Sequence, residues 1–209
     1  MIRLIPALFL LIGLFFLVQV GLPIVNFKLW ELGNNSQSLV SPEVGSGVLG
    51  VSIEISEDNF PSIISNFHRD YTPYTQFSLS VPAINIEEAR VFVDSNDLSK
   101  GLAHLPGSSL PGERGNVFIS GHSALPIIFN GNKNYGAIFA NLENLKKGDL
   151  IKVSAGGEYD YKVLEVKEID PKDLSVVRAP DPSERYITLM TCVPPGLNTK
   201  RLVVLGKMI

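Results

Sequence analysis

The sequence predicts a mainly β domain, either a small closed barrel or a sandwich, behind one membrane-spanning helix. From Phe77 to the C-terminus, short apolar or alternating segments follow one another, the pattern of strands with one or both faces buried. Turn signals at Gly and Pro separate them, and no repeat of fixed period recurs, as expected of a compact all-β architecture. Near the N-terminus a long stretch carries no charge at all.

That stretch runs from Leu4 to Val25, LIPALFLLIGLFFLVQVGLPIV, with Gln19 as its one strongly polar side chain. As a helix it would be roughly 33 Å long, against a hydrocarbon core of about 30 Å. A cleaved signal peptide has a shorter apolar part, so the segment reads as an uncleaved anchor. Arg3 precedes it while Lys28 and Glu31 follow, which favours a cytoplasmic N-terminus and puts the remaining chain outside. Residues 1–28 are thus assigned to a signal anchor, 29–75 to a stalk and helical lead-in, and 76–209 to the β domain.

Glu31 to Gly50, rich in Ser, Gly and Asn, has no sustained period and reads as a spacer. A short helix is expected around Pro61 to His68, ending before Pro73. Strand signals follow in FSLSV, ARVFV and GNVFISGH. Leu150 to Ser154 and Tyr159 to Ile169 form the arms of a hairpin that turns at Gly156 and Gly157. One helix interrupts the series at AIFANLENLKKG, where Ile138, Leu142 and Leu145 fall at helical spacing and Gly148 ends it. RYITLMTC and RLVVLGKM are the last two strands.

The net charge of −3 and the lack of any basic run argue against a nucleic-acid partner. No carboxylate cluster has calcium-loop spacing, so no cofactor is expected and calcium dependence stays open. The exported domain holds one cysteine, Cys192, which therefore has no partner for an internal disulfide. Such a thiol is either a buried hydrophobe or a nucleophile.

Cys192 closes a strand in which Thr188, Met190 and Cys192 share one face. Pro194 and Pro195 then stop the sheet, since neither has an N–H to donate. If the chain returns as an antiparallel hairpin, Arg201 comes to lie beside Cys192. A cysteine nucleophile also needs a base, because at its ordinary pKa little is thiolate at neutral pH. Of the three histidines, His68, His104 and His122, the last ends an apolar strand as Cys192 does. Proline removes the nearest backbone donors, which leaves the forked, permanently charged Arg201 as the candidate stabiliser of an oxyanion.

These residues resemble a known family, the sortases, membrane-anchored cysteine transpeptidases of the bacterial cell surface. TLMTC (Thr188 to Cys192) followed by RLVVLG carries most of the likeness, and LPGERGNVFISGHS resembles the segment bearing the family histidine. IFANLENLKKGDLIKV and FSLSVPAINIEEARV are similar to framework segments. The resemblance implies an eight-stranded β-barrel with one or two short helices. It implies Cys192 as nucleophile, His122 as acid or base, and Arg201 as oxyanion or substrate-positioning donor. The implied substrates are secreted or surface proteins with a C-terminal sorting signal such as Leu-Pro-x-Thr-Gly, joined through a thioacyl enzyme to a cell-wall precursor or protein amine. RLVVLGKMI is too short to cross a membrane, and the stalk lacks the Asp-Pro-aromatic lid of pilin-polymerising members, so a general protein-anchoring enzyme is expected.

Rival readings are a tethered barrel that only binds, with an inert Cys192, and a cysteine peptidase that hydrolyses. L,D-transpeptidases place Ser-His-Gly-Cys together, and papain-like enzymes put the cysteine ahead of the histidine at a helix start; neither order occurs here. Alkylation of Cys192 that changes when His122 is replaced separates enzyme from binding module.

Overall fold

The computed structural model of the chain describes residues 4–33, 47–48, 51–55, 63–125 and 135–209. Most of the expected spacer, and residues 56–62 around the start of the expected lead-in helix, lie outside them.

The N-terminal helix α1 (Leu4–Gly33) is longer than the anchor expected from the apolar run. Its segment Phe9–Trp30 has a mean hydropathy of 2.2 and is long and apolar enough to cross a membrane. Phe9, Leu10, Leu11, Leu14, Phe15 and Leu17 are all exposed, a surface that water would solvate poorly and that lipid would cover. Toward its end Phe27 is buried and stacks on Trp30, both against the apolar cluster of the β domain.

Three short strands follow, β1 (Gly47–Val48), β2 (Val51–Ile55) and β3 (Ile63–Ser65), paired in that order. The strand β3 corrects the expected lead-in helix. Ile63 and Ile64 are β-branched and favour extended backbone, and burial of Ile63 together with pairing to β2 decides the matter.

The main body is a closed barrel of eight strands: β4 (Gln76–Val81), β5 (Ile86–Phe92), β6 (Leu102–His104), β7 (Gly115–Ser120), β8 (Leu150–Ser154), β9 (Glu158–Ile169), β10 (Arg185–Val193) and β11 (Lys200–Met208). Their order around the barrel is β10-β11-β9-β8-β4-β5-β6-β7, and β7 closes the ring by pairing in parallel with β10. The expected hairpin is present as β8 and β9, with Ser154 opposite Glu158 and Gly156 at φ +73° in the turn. Closure settles what periodicity left open between barrel and sandwich.

Strand alternation sends Leu79, Val117, Ile119, Ile151, Val153, Ile187, Leu189, Leu202 and Val204 into the barrel interior. Phe118, Met190 and Val203, of opposite parity, lie on the outer face in a second buried cluster with Ile63, Leu105, Ile169, Val176 and Val177. Segments of chain laid over the outside of the barrel cover that second face.

The helix expected from Ile138 to Lys147 is instead a series of turns with a single 3-10 turn at Leu142–Asn144. Ala140, Leu142 and Leu145 each donate to the residue three positions back, Ala137, Phe139 and Leu142. Three residues per turn stack Leu142 and Leu145 on one side, so that pair fits this tighter winding, whereas Ile138, four residues before Leu142, falls about a third of a turn away. Two further 3-10 turns lie at Pro82–Ile84 and Leu174–Val177.

Candidate active site

Cys192 is the penultimate residue of β10, and its cross-strand partner on β11 is Arg201, as the hairpin reading required. The alternation places both on the outer face: Ile187, Leu189 and Val193 are inward on β10, and Leu202 and Val204 are inward on β11. Arg201 is only 1% exposed, which is rare for an arginine and demands partners for its donors. Nη1 donates to Lys200 O at 3.0 Å, and the charges of Cys192 and Asp170 both act on the guanidinium.

His122 reaches the same rim from the other side of β10. The parallel ladder runs from Arg185 opposite Gly115 to Met190 opposite Ser120. Two more steps bring His122 level with Cys192. Gly121 N donates to Met190 O at 3.0 Å, Thr191 Oγ1 donates to Gly121 O at 2.6 Å, and Phe139 N donates to His122 O at 2.9 Å. Ser123 Oγ donates to Cys192 O. The backbone on both sides of the histidine is therefore fastened to the strand that carries the thiol.

Gly121 is needed for this approach. A Cβ there would sit 2.5 Å from Leu102 Cδ2 and 2.5 Å from Phe139 Cδ2, closer than carbon atoms pack. Gly121→Ala is expected to lower stability by about 1–3 kcal/mol through overpacking. Denaturant unfolding measures this, and unchanged stability would mean that the two side chains yield without strain.

Burial pushes the Cys192 thiol up to about 11, and the nearby Arg201 charge lowers it only in part. Burial also holds His122 below the usual imidazole range. Both effects favour the uncharged forms, a thiol and a neutral imidazole. The thiol donates to Asn198 Oδ1, with Sγ and Oδ1 3.3 Å apart, and Asn198 was not singled out from sequence. A polar residue in the loop GLNTK carries no local signal that it folds back over the cysteine.

The other two histidines are placed elsewhere. His104 is fully buried, with Nε2 2.9 Å from Ser108 Oγ and 3.0 Å from Ser109 O, and Nδ1 3.5 Å from Asp94 Oδ1. It ties β6 to the chain leading into β7. His68 is exposed beyond β3. Among the described residues no group of three or more His, Cys, Asp or Glu side chains is placed to hold a metal ion.

The barrel is shared with solved sortases. Sortase A from Corynebacterium diphtheriae superposes with a TM-score of 0.55 at 32% identity, covering 67% of this chain and 63% of that one. Sortase C from Streptococcus pneumoniae gives 0.55 at 30%, covering 66% and 70%. Residues 79–209 match the sortase domain family, and the chain belongs to the sortase family. Sortase D of Bacillus subtilis is 31% identical over 134 residues, 62% of this chain and 61% of the relative. Sortase A of Bacillus anthracis is 34% identical over 134 residues, 63% of this chain and 58% of the relative. The matched region thus spans about three-fifths of these curated relatives' length.

Proposed function

We propose that this protein is a membrane-anchored cysteine transpeptidase that cleaves a C-terminal sorting signal and joins the carrier protein to an amine at the cell surface. The observation that carries the reading is the cross-strand pairing of the chain's one thiol with a buried arginine, beside the strand end that holds His122. Membership of the sortase family supports it. The helix α1 would hold the domain at the membrane, and the polarity of the flanking charges would put it outside.

In the proposed reaction Cys192 Sγ attacks the carbonyl carbon of the Thr–Gly bond while its proton passes to His122. The carbonyl π electrons move to oxygen, and the Arg201 guanidinium donates to the resulting oxyanion. The oxyanion collapses, the C–N bond breaks, and His122 returns the proton to the departing glycine nitrogen. A surface amine then attacks the thioester, and the same groups act in reverse order. All of these steps use protein side chains.

We read a hollow on the same outer face as the place where substrate would lie. A cavity of about 140 Å³ is lined by Val176, Ala179, Thr188 and Val203 among others. Thr188 is four residues from Cys192 along β10, roughly 13 Å at strand rise. The leucine and threonine of an extended Leu-Pro-x-Thr segment lie about 10 Å apart, so a threonine at the thiol would set the leucine near this hollow, whose wall also carries Lys167 and Arg178.

The test is intact mass spectrometry of the full-length protein in detergent after incubation with a Leu-Pro-x-Thr-Gly peptide library. A peptide-derived adduct on Cys192, released as a joined product by an added amine, is expected. No adduct with any member would overturn the assignment, and release as free acid whatever amine is present would identify a peptidase instead.

A further inference from the structure

We infer that Asn198 is a further catalytic residue, accepting the Cys192 thiol proton at rest through Oδ1 and donating through Nδ2 to the oxyanion once the thiol has reacted. This deepens the transpeptidase assignment and rests on Cys192 being the nucleophile.

The donor inventory around the thiol points to this side chain. Pro194 and Pro195 have no N–H. Gly196 N already donates to Ser123 O at 2.9 Å, and Leu197 N donates to Pro194 O at 2.8 Å. The four residues after Val193 therefore offer no backbone donor to a negative oxygen at Cys192. Asn198 is the next in line, and its amide already lies at Sγ, 3.3 Å away. Thr199 Oγ1 donates to Val193 O at 3.2 Å, which fastens the loop to the strand just after Asn198, while Gly196 N holds it to Ser123 O just before.

The observed contact stabilises the thiol against ionisation, because an acceptor oxygen binds S–H and repels S⁻. When the proton leaves for His122, Oδ1 faces growing negative charge and the amide is driven to turn about χ2. That half-turn presents Nδ2–H without moving the backbone. The amide has an acceptor at one end and a donor at the other, both within reach of the sulfur by a turn about χ2. Arg201 has donors only, so it cannot hold the resting thiol proton.

The two roles have opposite consequences for two measurable rates. Alkylation of Cys192 by iodoacetamide reports the ease of ionisation, and acylation by the fastest-reacting member of the Leu-Pro-x-Thr-Gly library reports oxyanion stabilisation. In full-length Asn198→Ala, alkylation at fixed pH is expected to rise about threefold as the acceptor is lost. Acylation is expected to fall about 10- to 100-fold as a donor to a charged oxygen is lost. Asn198→Asp keeps an acceptor and adds negative charge, so both rates should fall. Thermal unfolding accompanies each variant to show that the exposed loop residue has not altered the fold. Acylation by Asn198→Ala within twofold of wild type overturns the inference, as does a parallel fall of both rates in that variant. Cys192→Ala separates the two levels: an adduct surviving there removes the nucleophile assignment itself. An inactive Cys192→Ala beside a wild-type-like Asn198→Ala removes only the role of Asn198.

Discussion

Cys192→Ala is expected to abolish peptide joining, a loss on the order of 10⁴-fold or more, since nucleophile and base act as a unit. The same variant has a second, independent consequence for stability at high pH. The folded thiol is raised to about 11 from an ordinary value of 9.0. A group whose folded pKa is raised contributes stability that is full below the unfolded value and is lost as pH rises through the folded value. Wild type is therefore expected to lose about 2–3 kcal/mol between pH 9 and pH 11 that Cys192→Ala does not lose. Tyr74 and Tyr161, both pushed up to about 12 mainly by burial, add losses of the same sign at still higher pH. They are present in both proteins, so the difference between denaturant unfolding curves isolates the cysteine. Equal pH dependence in the two would show that the thiol is not desolvated.

Burial also makes the resting thiol slow. With a pKa near 11, about one molecule in 10⁴ is thiolate at pH 7, against a few per cent for a free cysteine. Low resting reactivity is thus common to the enzyme and to an inert binding module. Dependence on His122 separates them: replacing it with Ala should change the pH profile of alkylation only if the imidazole exchanges a proton with the thiol.

Arg201→Ala is expected to lower acylation about 100- to 1000-fold, the loss typical of one oxyanion donor. Its charge is what partly offsets the rise in the Cys192 thiol, so the variant should also alkylate more slowly at a given pH. That sign is opposite to the one expected for Asn198→Ala, and the pair of variants distinguishes a donor from an acceptor at the same sulfur. Arg201→Lys should recover little, because an ammonium is a point charge without the planar fork. Turnover near wild type in Arg201→Lys or Arg201→Met would make Arg201 a packing residue.

Much of this site was legible because its central contact is local in sequence. β10 and β11 are consecutive and joined by a short loop with two prolines, so alternation and a hairpin suffice to set Arg201 against Cys192. The chemistry of the lone thiol and the position of His122 at a strand end were also visible. What failed were elements whose pattern fits two conformations. Ile63 to Ser65 reads as the inside of a capped helix until pairing with β2 is known. The spacing of Leu142 and Leu145 suits a 3-10 turn as well as an α-helix, and the bond from Phe139 N to His122 O takes an amide that a helix would use.

The sequence by itself determined the apolar N-terminal helix, the pairing within the final hairpins, with Cys192 against Arg201, and, through resemblance, the family. Each follows from near neighbours along the chain, where period and turn chemistry act directly. Only the tertiary structure decided that β7 lies parallel to β10, that the thiol faces outward, and that Asn198 folds over it. A parallel pair needs a long crossover whose end point no local period specifies. The raised thiol and lowered imidazole have the same origin, since desolvation depends on atoms brought together from segments as distant as β7 and β10.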